Sequence, residues 1–292
     1  MPNVFEALSF VNPSGKTVKI SDTSVTKYWE LRGRSGFAAP DVELITQKFA
    51  NGTTKVLKRF IAPRTVRINM VLVGDTTAER DQYFAQMVRD LIDIGGGNVG
   101  QLYITRSDGT TVYLNCTYSS GLNVVDEYRK FHRFTLEFYA SDPYFYKDQS
   151  WVTLLENASA NLGSTIVGPP VTVVNDGDAP IQPVIKITNS VSDIAAWLTF
   201  RINNEGKLFV HFRNINTYQK FVIDTRDYSR DLYIINYDNT ITSAWKDLSW
   251  GSSSMNLNIP VGTTTVSLWV QYADNTTIGK AEMLLANRYL SA

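Results

Sequence analysis

From Arg64 to Gly97 the sequence reads RTVRINMVLVGDTTAERDQYFAQMVRDLIDIGGG. Its first ten residues alternate, with Val66, Ile68, Met70 and Leu72 on one side and Arg67, Asn69, Val71 and Val73 on the other, the period of a half-buried β-strand. The period then changes. Thr76-Thr77-Ala78-Glu79 is a capping box, whose threonine hydroxyl and glutamate carboxylate can each satisfy a backbone N–H left over by the first helical turn. Beyond it Tyr83, Phe84, Met87, Val88, Leu91 and Ile92 recur at helical spacing, and Gly95-Gly96-Gly97 ends the run. One amphipathic helix packed on a sheet by its apolar stripe is the expectation.

No other stretch predicts a long helix. Leu102 and Ile104 lead to Ser107-Asp108-Gly109-Thr110, whose Asp-Gly pair suits a tight hairpin turn, and Val112, Leu114 and Cys116 return on the same face. Phe134, Leu136 and Phe138 form a further strand, closed by Ser141-Asp142-Pro143-Tyr144-Phe145-Tyr146, where proline ends the ladder. Residues 1–150 therefore read as a β-barrel or sandwich with one α-helix. Between 157 and 183 lie Gly163, Gly168, Pro169, Pro170, Gly177, Pro180 and Pro183, a boundary rich in turn-formers. Alternating runs follow at Leu198-Phe200-Ile202, Leu208-Val210-Phe212, Phe221-Ile223, Leu232-Ile234, Met255-Leu257-Ile259 and Val266-Leu268-Val270. They predict a second, all-β sandwich over residues 151–292. The fold class is mainly β, in two domains, as a length of 292 residues allows at ~150 residues per domain.

Composition removes several function classes. Lys and Arg total 28, and Asp and Glu total 28, so the chain lacks the uncompensated cations of a bulk nucleic-acid binder. Neither half is polarised, with 18 bases and 16 acids through residue 150 and 10 and 12 beyond it. A single cysteine, Cys116, excludes an intrachain disulfide framework and a thiolate zinc cluster, and fits assembly in a reducing compartment. The N-terminus shows no secretory signal, and no run of about 18 apolar residues predicts a membrane span.

The chemistry on offer is thin. Gly95 to Gly100 matches G-x-G-x-x-G, but helix precedes strand, the reverse of the dinucleotide-binding order, so a turn is expected. His132 and His211 are far apart in sequence and without metal-ligand spacing; His132, in the cationic run Tyr128 to Arg133, is expected on the surface. Gly33-Arg34-Ser35-Gly36 lacks the spacing of a nucleophile elbow. Cys116 shares a face with Val112 and Leu114 and is expected to be buried and inert. Glu137, Asp142 and the pair Asp126-Glu127 are the acids a glycoside hydrolase would draw on. No cofactor is implied. Between Ile45 and Gly74 there are six bases, Lys48, Lys55, Lys58, Arg59, Arg64 and Arg67, and no acid. Asn51-Gly52 within this run marks a hairpin, which makes it an exposed charged ribbon suited to contacting another protein. Four of six tryptophans, Trp197, Trp245, Trp250 and Trp269, lie in the second half. Sugar-binding modules stack pyranose rings on such side chains, so a carbohydrate-binding module is the alternative function. Trp197 and Trp269 fall in alternating strands and are expected to pack, leaving Trp245 and Trp250 as surface candidates.

The order of these features resembles the distal tail proteins of long-tailed siphophages, the Dit family. The resemblance is carried by Arg64-Thr65-Val66-Arg67-Ile68, the helix from Ala78 to Ile94, Gly100-Gln101-Leu102-Tyr103 and Phe138-Tyr139-Ala140-Ser141-Asp142-Pro143-Tyr144-Phe145-Tyr146. In the second half Val222-Ile223-Asp224-Thr225, Asn256-Leu257-Asn258-Ile259-Pro260-Val261-Gly262 and Asn287-Arg288-Tyr289-Leu290 extend it. It implies a non-enzymatic virion protein of the tail tip, assembled in the host cytoplasm. It also implies a homohexameric ring built on a tail-tube-like first domain, with a galectin-like second domain. The implied partners are the tail tube protein, the tail-associated hub protein and receptor-binding or baseplate proteins. The galectin sugar motifs, His-x-Asn-x-Arg and Trp-Gly-x-Glu-x-Arg, are broken here as His211-Phe212-Arg213-Asn214-Ile215 and Trp250-Gly251-Ser252-Ser253-Ser254. On this reading Phe49, Lys55, Lys58, Arg59, Phe60, Arg64 and Arg67 are candidates for subunit or tube contacts. The loop from Trp245 to Trp250 is the candidate for a peripheral partner.

Overall fold

The computed structural model describes residues 7–22, 29–49, 52–92, 99–122, 126–127, 131–160, 163–189, 194–215, 219–227, 229–245, 255, 257–272 and 276–292. The chain forms two compact units, Met1–Lys147 together with Tyr289–Ala292, and Asp148–Arg288.

In chain order the first unit holds β1 (Ala7–Val11), β2 (Thr17–Asp22), β3 (Trp29–Ser35), β4 (Val42–Lys48), β5 (Thr54–Ile61) and β6 (Arg64–Val73). Then come α1 (Thr77–Leu91), β7 (Gly100–Thr105), β8 (Thr111–Ser120), β9 (Asp126–Glu127), β10 (Phe131–Ala140) and the start of β11 (Phe145–Ala160). Strand neighbours run β2-β1-β7-β8-β10-β6-β3, with β9 beside β10, and among the described residues β4 and β5 pair only with each other. Val66, Ile68, Met70 and Leu72 of β6 face inward and join Phe10, Leu102, Leu114 and Phe138 in one core. The helix lies on that core through Met87 and Leu91, with Tyr83 and Phe84 partly buried beside them. Its start follows the sequence: the Thr76 hydroxyl accepts from the Glu79 N–H at 3.1 Å. The Glu79 carboxylate reaches back to the Asp75 N–H at 2.9 Å, one residue before the cap. The helix ends at Leu91, with Ile92 exposed as its C-cap, and Gly95-Gly96-Gly97 lies outside the described residues. Asp108-Gly109 turns the β7–β8 hairpin, Gly109 taking a φ of 78°.

Arg64 occupies an interior position at the start of β6. Its guanidinium, 4% exposed as a residue, donates to the carbonyls of Gly36 at 2.8 Å, Ala38 at 3.1 Å and Leu290 at 2.8 Å. It also lies over the Phe145 ring, 4.5 Å from the centroid. Burial pushes its pKa down to about 10, with Asp142 opposing the shift, so it stays charged at neutral pH. Two further bonds, Arg106 to the Ser291 carbonyl and the Ala292 N–H to the Phe37 carbonyl, fix the last residues of the chain to this unit.

The second unit carries the rest of β11 and then β12 (Thr165–Val167), β13 (Val171–Asn175), β14 (Val184–Asn189), β15 (Ile194–Ile202) and β16 (Glu205–Ile215). It ends with β17 (Lys220–Asp224), β18 (Asp231–Ile235), β19 (Ile241–Ser243), β20 (Gly262–Tyr272) and β21 (Thr276–Tyr289). One sheet runs β19-β18-β17-β14-β21-β11; the other runs β12-β20-β15-β16, with β13 also on β20. Residues of both sheets share one core, Ile185, Phe221, Ile223 and Met283 from the first meeting Phe200, Leu208, Val266 and Leu268 from the second. That is a β-sandwich. Met255-Leu257-Ile259, expected as a strand, is buried without forming one; only Ile259 bridges, to Ile181. Side chains reach the segment instead, the Asn175 amide donating to the Ile259 carbonyl at 3.3 Å and the Thr225 hydroxyl to the Leu257 carbonyl at 3.5 Å. The described chain is mainly β, with one helix among the described residues, as the alternation predicts.

Gly36 tests the clamp around Arg64. Its φ is +85°, and a Cβ there would stand 2.3 Å from the Thr65 carbonyl oxygen. Gly36→Ala is expected to destabilise the first unit by about 2 kcal/mol or more, read as a lower thermal midpoint.

Candidate functional site

Cys116 is buried among Leu102, Val112 and Leu114, and burial pushes its thiol pKa well above the ordinary value. His132, expected on the surface, is buried: it packs against Phe84 and its Nε2 lies 3.2 Å from Asp81 Oδ1. Alternation explains the difference, because His132 shares the inward parity of Phe134 and Leu136 on β10. Glu137 projects from the opposite face, where Arg67 Nε reaches it at 2.7 Å and the Ser120 hydroxyl donates at 2.8 Å. The Ser120 bond, with Arg67 adding to it, holds the Glu137 carboxyl below the usual range, the wrong direction for a general acid that must keep its proton. Asp142 is buried and accepts from the Tyr146 hydroxyl and, at 3.4 Å, the Tyr144 N–H. The Asp126 and Glu127 side chains and that of His211 lie outside the described residues. Among the described residues no group of three or more His, Cys, Asp or Glu side chains is placed to hold a metal ion.

The unusual feature is the β4–β5 ribbon. Phe49 N–H donates to the Thr53 carbonyl at 2.9 Å and Gly52 takes a φ of 82°, closing the hairpin predicted at Asn51-Gly52. Val42 and Leu44 stand opposite Ile61 and Arg59 on one face; Glu43 and Ile45 share the other with Phe60. A bulge between Ile45 and Thr46 shifts the register, after which Thr46 faces Val56. Every residue of β4 is exposed, and Val42, Leu44, Ile45, Phe49, Val56, Leu57 and Phe60 are each between 37% and 59% exposed. Both faces thus carry large apolar side chains that their own unit does not cover. A soluble surface rarely concentrates such residues without a partner, and an isolated two-stranded hairpin is marginal in water.

Of the residues predicted for subunit or tube contacts, Phe49, Lys55, Arg59 and Phe60 lie exposed on this ribbon, while the Lys58 side chain falls outside the described residues. Arg67 is exposed on β6 but paired with Glu137. Arg64 departs from the expectation: it is an internal clamp, because β6 alternation turns it inward with Val66 and Ile68. Sequence reasoning weighed the ribbon's bases and missed Val42, Leu44, Ile45, Val56 and Leu57. The signal was present, since apolar residues stand at both parities of β4 and leave it no polar face.

In the second unit Trp245 is 44% exposed and its indole N–H donates to Asp231 Oδ1 at 2.9 Å. Trp250 lies outside the described residues. Trp197, expected to pack, is also 44% exposed, and Trp269 is half-buried on the same face. The core positions of their strands are Leu198, Phe200, Leu268 and Val270, which turns both tryptophans outward.

A mainly β chain with one capped helix, an exposed ribbon and a second sandwich has counterparts among solved structures. The SPP1 Dit (gp 19.1) protein, described as a paradigm of the hub adsorption apparatus in phages infecting Gram-positive hosts, matches with a TM-score of 0.63 at 14% identity. The match covers 98% of this chain and 99% of that one. A chain of the phage P2 baseplate in its activated conformation with Ca matches with a TM-score of 0.59 at 11% identity, over 99% of this chain and 100% of that one. The same baseplate with Sr gives a TM-score of 0.58. The fold is Dit-like over essentially the whole chain. No family model matches the sequence, and no curated protein matches it.

The burial of Cys116 sets an accessible test. A thiol-specific colorimetric reagent is expected to leave the native protein unlabelled over the time in which the denatured protein reacts fully; rapid native labelling would mean the β7–β8 core is open.

Proposed function

We propose that this protein is a structural component of a phage tail tip that assembles as a homohexameric ring. In this reading the first unit makes the ring and abuts the tail tube protein and the tail-associated hub protein. The second unit serves receptor-binding or other baseplate proteins. The chain acts by shape and carries no catalytic centre, and its place is the virion, after assembly in the host cytoplasm. The Dit-like fold supports a hub role.

The observation that carries the assembly reading is the two-faced ribbon. Apolar residues on one face would need one cover, as in any sheet packed on a core. Residues on both faces need something above and below, and identical neighbours on either side of a protomer supply that in a closed ring through one heterologous contact repeated about an axis. Lys48, Lys55 and Arg59 beside a single acid, Glu43, make the ribbon cationic, so its neighbour should offer an apolar strip edged by carboxylates. Zero formal net charge lets six copies approach without strong mutual repulsion.

Light scattering of the purified protein is expected to give a species of six times 32.8 kDa, or, where the ring forms only on purified tail tubes, that increment in the mass bound per tube end, with sixfold views and a central hole by negative stain. The double variant Leu44→Asp with Val56→Asp is expected to shift that species to single-chain mass while leaving the melting of the second unit unchanged. Ile241→Asp, at an exposed apolar residue of the second unit, should leave the mass unchanged. A wild-type protein that remains a single chain and fails to join tail tubes contradicts the proposal.

A further inference from the structure

The outer face of the β12-β20-β15-β16 sheet is not the polar surface that a sandwich usually shows to water. Because Leu198, Phe200 and Ile202 point into the core, Trp197, Thr199 and Arg201 point out. By the same parity Trp269 and Gln271 of β20 and Phe209 of β16 point out. Register places Trp269, Thr199 and Phe209 in one row across three strands, and Gln271 and Trp197 in the next row. With strands ~4.8 Å apart and ~3.4 Å per residue, Trp269 and Phe209 stand about 10 Å apart and Trp197 about 7 Å along the strand from Thr199. Phe209 is 38% exposed. Its ring leans over Gly206, where a Cβ would come within 2.8 Å of the ring's Cζ. Arg201 lies over the Trp269 ring, 3.9 Å from its centroid.

We propose that this face binds a neutral oligosaccharide of two or three pyranose rings. A pyranose presents a C–H face that packs on an aromatic ring and a rim of hydroxyls that need hydrogen bonds. Trp197 and Phe209, about 8 Å apart on those spacings, match the first requirement, as aromatic surfaces give large contact area at low entropic cost, with Trp269 beside them under Arg201. The Gln271 amide and the Thr199 hydroxyl among the rings, and the Arg201 guanidinium over Trp269, match the second. Charge decides against a polyanionic ligand: among the described side chains of this face Lys207 is paired with Glu205, which leaves Arg201 as the main cation. The texture decides against a protein. A protein hot spot has a contiguous, desolvated apolar centre, whereas here Thr199 and Gln271 stand among the rings. This site is distinct from Trp245 and needs neither of the galectin motifs, and it does not rest on the ring proposal.

The test is a glycan array of neutral and acidic oligosaccharides probed with the full-length protein, followed by tryptophan-fluorescence titration with the best-retained glycan. Retention of neutral di- to tetrasaccharides is expected. Trp197→Ala should weaken that binding about tenfold or more with an unchanged melting midpoint, and Trp245→Ala should leave it unaltered. Phe209→Ala and Gln271→Ala, each expected to weaken binding at least about threefold, serve if Trp197→Ala shifts the midpoint. The proposal is overturned if no neutral glycan is retained, if retention is confined to acidic glycans, if none of the platform variants changes the titration, or if Trp245→Ala alone abolishes it. Loss of a tail-protein contact by Trp197→Ala without any glycan signal would reassign the face to a protein.

Discussion

A two-stranded ribbon has no interior. Every described residue from Val42 to Phe60 is exposed, and both sides of the ribbon hold valine, leucine, isoleucine or phenylalanine. At about 25 cal/mol per Å² of apolar surface withdrawn from water, leaving such residues bare is costly in solubility as well as stability. The first unit could have avoided this by folding the ribbon onto its own core, which is already closed by β1, β6, β7, β8, β10 and the helix. The ribbon is instead left over, and the account of assembly follows from what must cover it.

The rest of the first unit supplies a stiff base for that ribbon. β5 ends at Ile61 and β6 begins at Arg64, so the ribbon springs from the point where the buried guanidinium gathers the Gly36, Ala38 and Leu290 carbonyls and stacks on Phe145. Four chain segments distant in sequence meet at one charge. A buried cation is tolerated when carbonyl oxygens and an aromatic ring compensate for its lost water; here both terminal nitrogens donate to carbonyls and the face lies on Phe145, while the buried Nε has no partner among the described residues. Such a centre fixes where the β4–β5 hairpin leaves the unit. In the second unit the same accounting of sheet faces applies with another result: both inner faces are buried against each other, and the aromatic outer face of one sheet becomes the surface that asks for a ligand.

Much of this was legible in residue order. The alternation of Val66 to Leu72, the capping box at Thr76 and the Asp108-Gly109 turn each correspond to an element of the structure, because local chemistry settles them. Met255-Leu257-Ile259 alternates, but among the described residues only Ile259 pairs, with Ile181, a matter of long-range pairing that periodicity does not encode. Arg64 and His132 were misjudged for one reason: charge was given priority over parity, although both share the inward parity of their strands. Trp197 and Trp269 erred the other way. Naming Leu198-Phe200-Ile202 and Val266-Leu268-Val270 as core sets already turned the intervening tryptophans outward. The ribbon's bases drew attention while its apolar residues did not, since only the structure reveals that no second layer covers β4 and β5.

The central claim is that the ribbon is covered on both faces in the functional state. Amide hydrogen exchange of peptides spanning residues 42–61, measured on the protein assembled on tail tubes and on the dissociated chain, addresses it directly. The account predicts exchange on the order of a thousandfold slower in the assembly than in the dissociated chain, extending along both strands. Exchange equally fast in the two states would mean that nothing sits on the ribbon, and would contradict it.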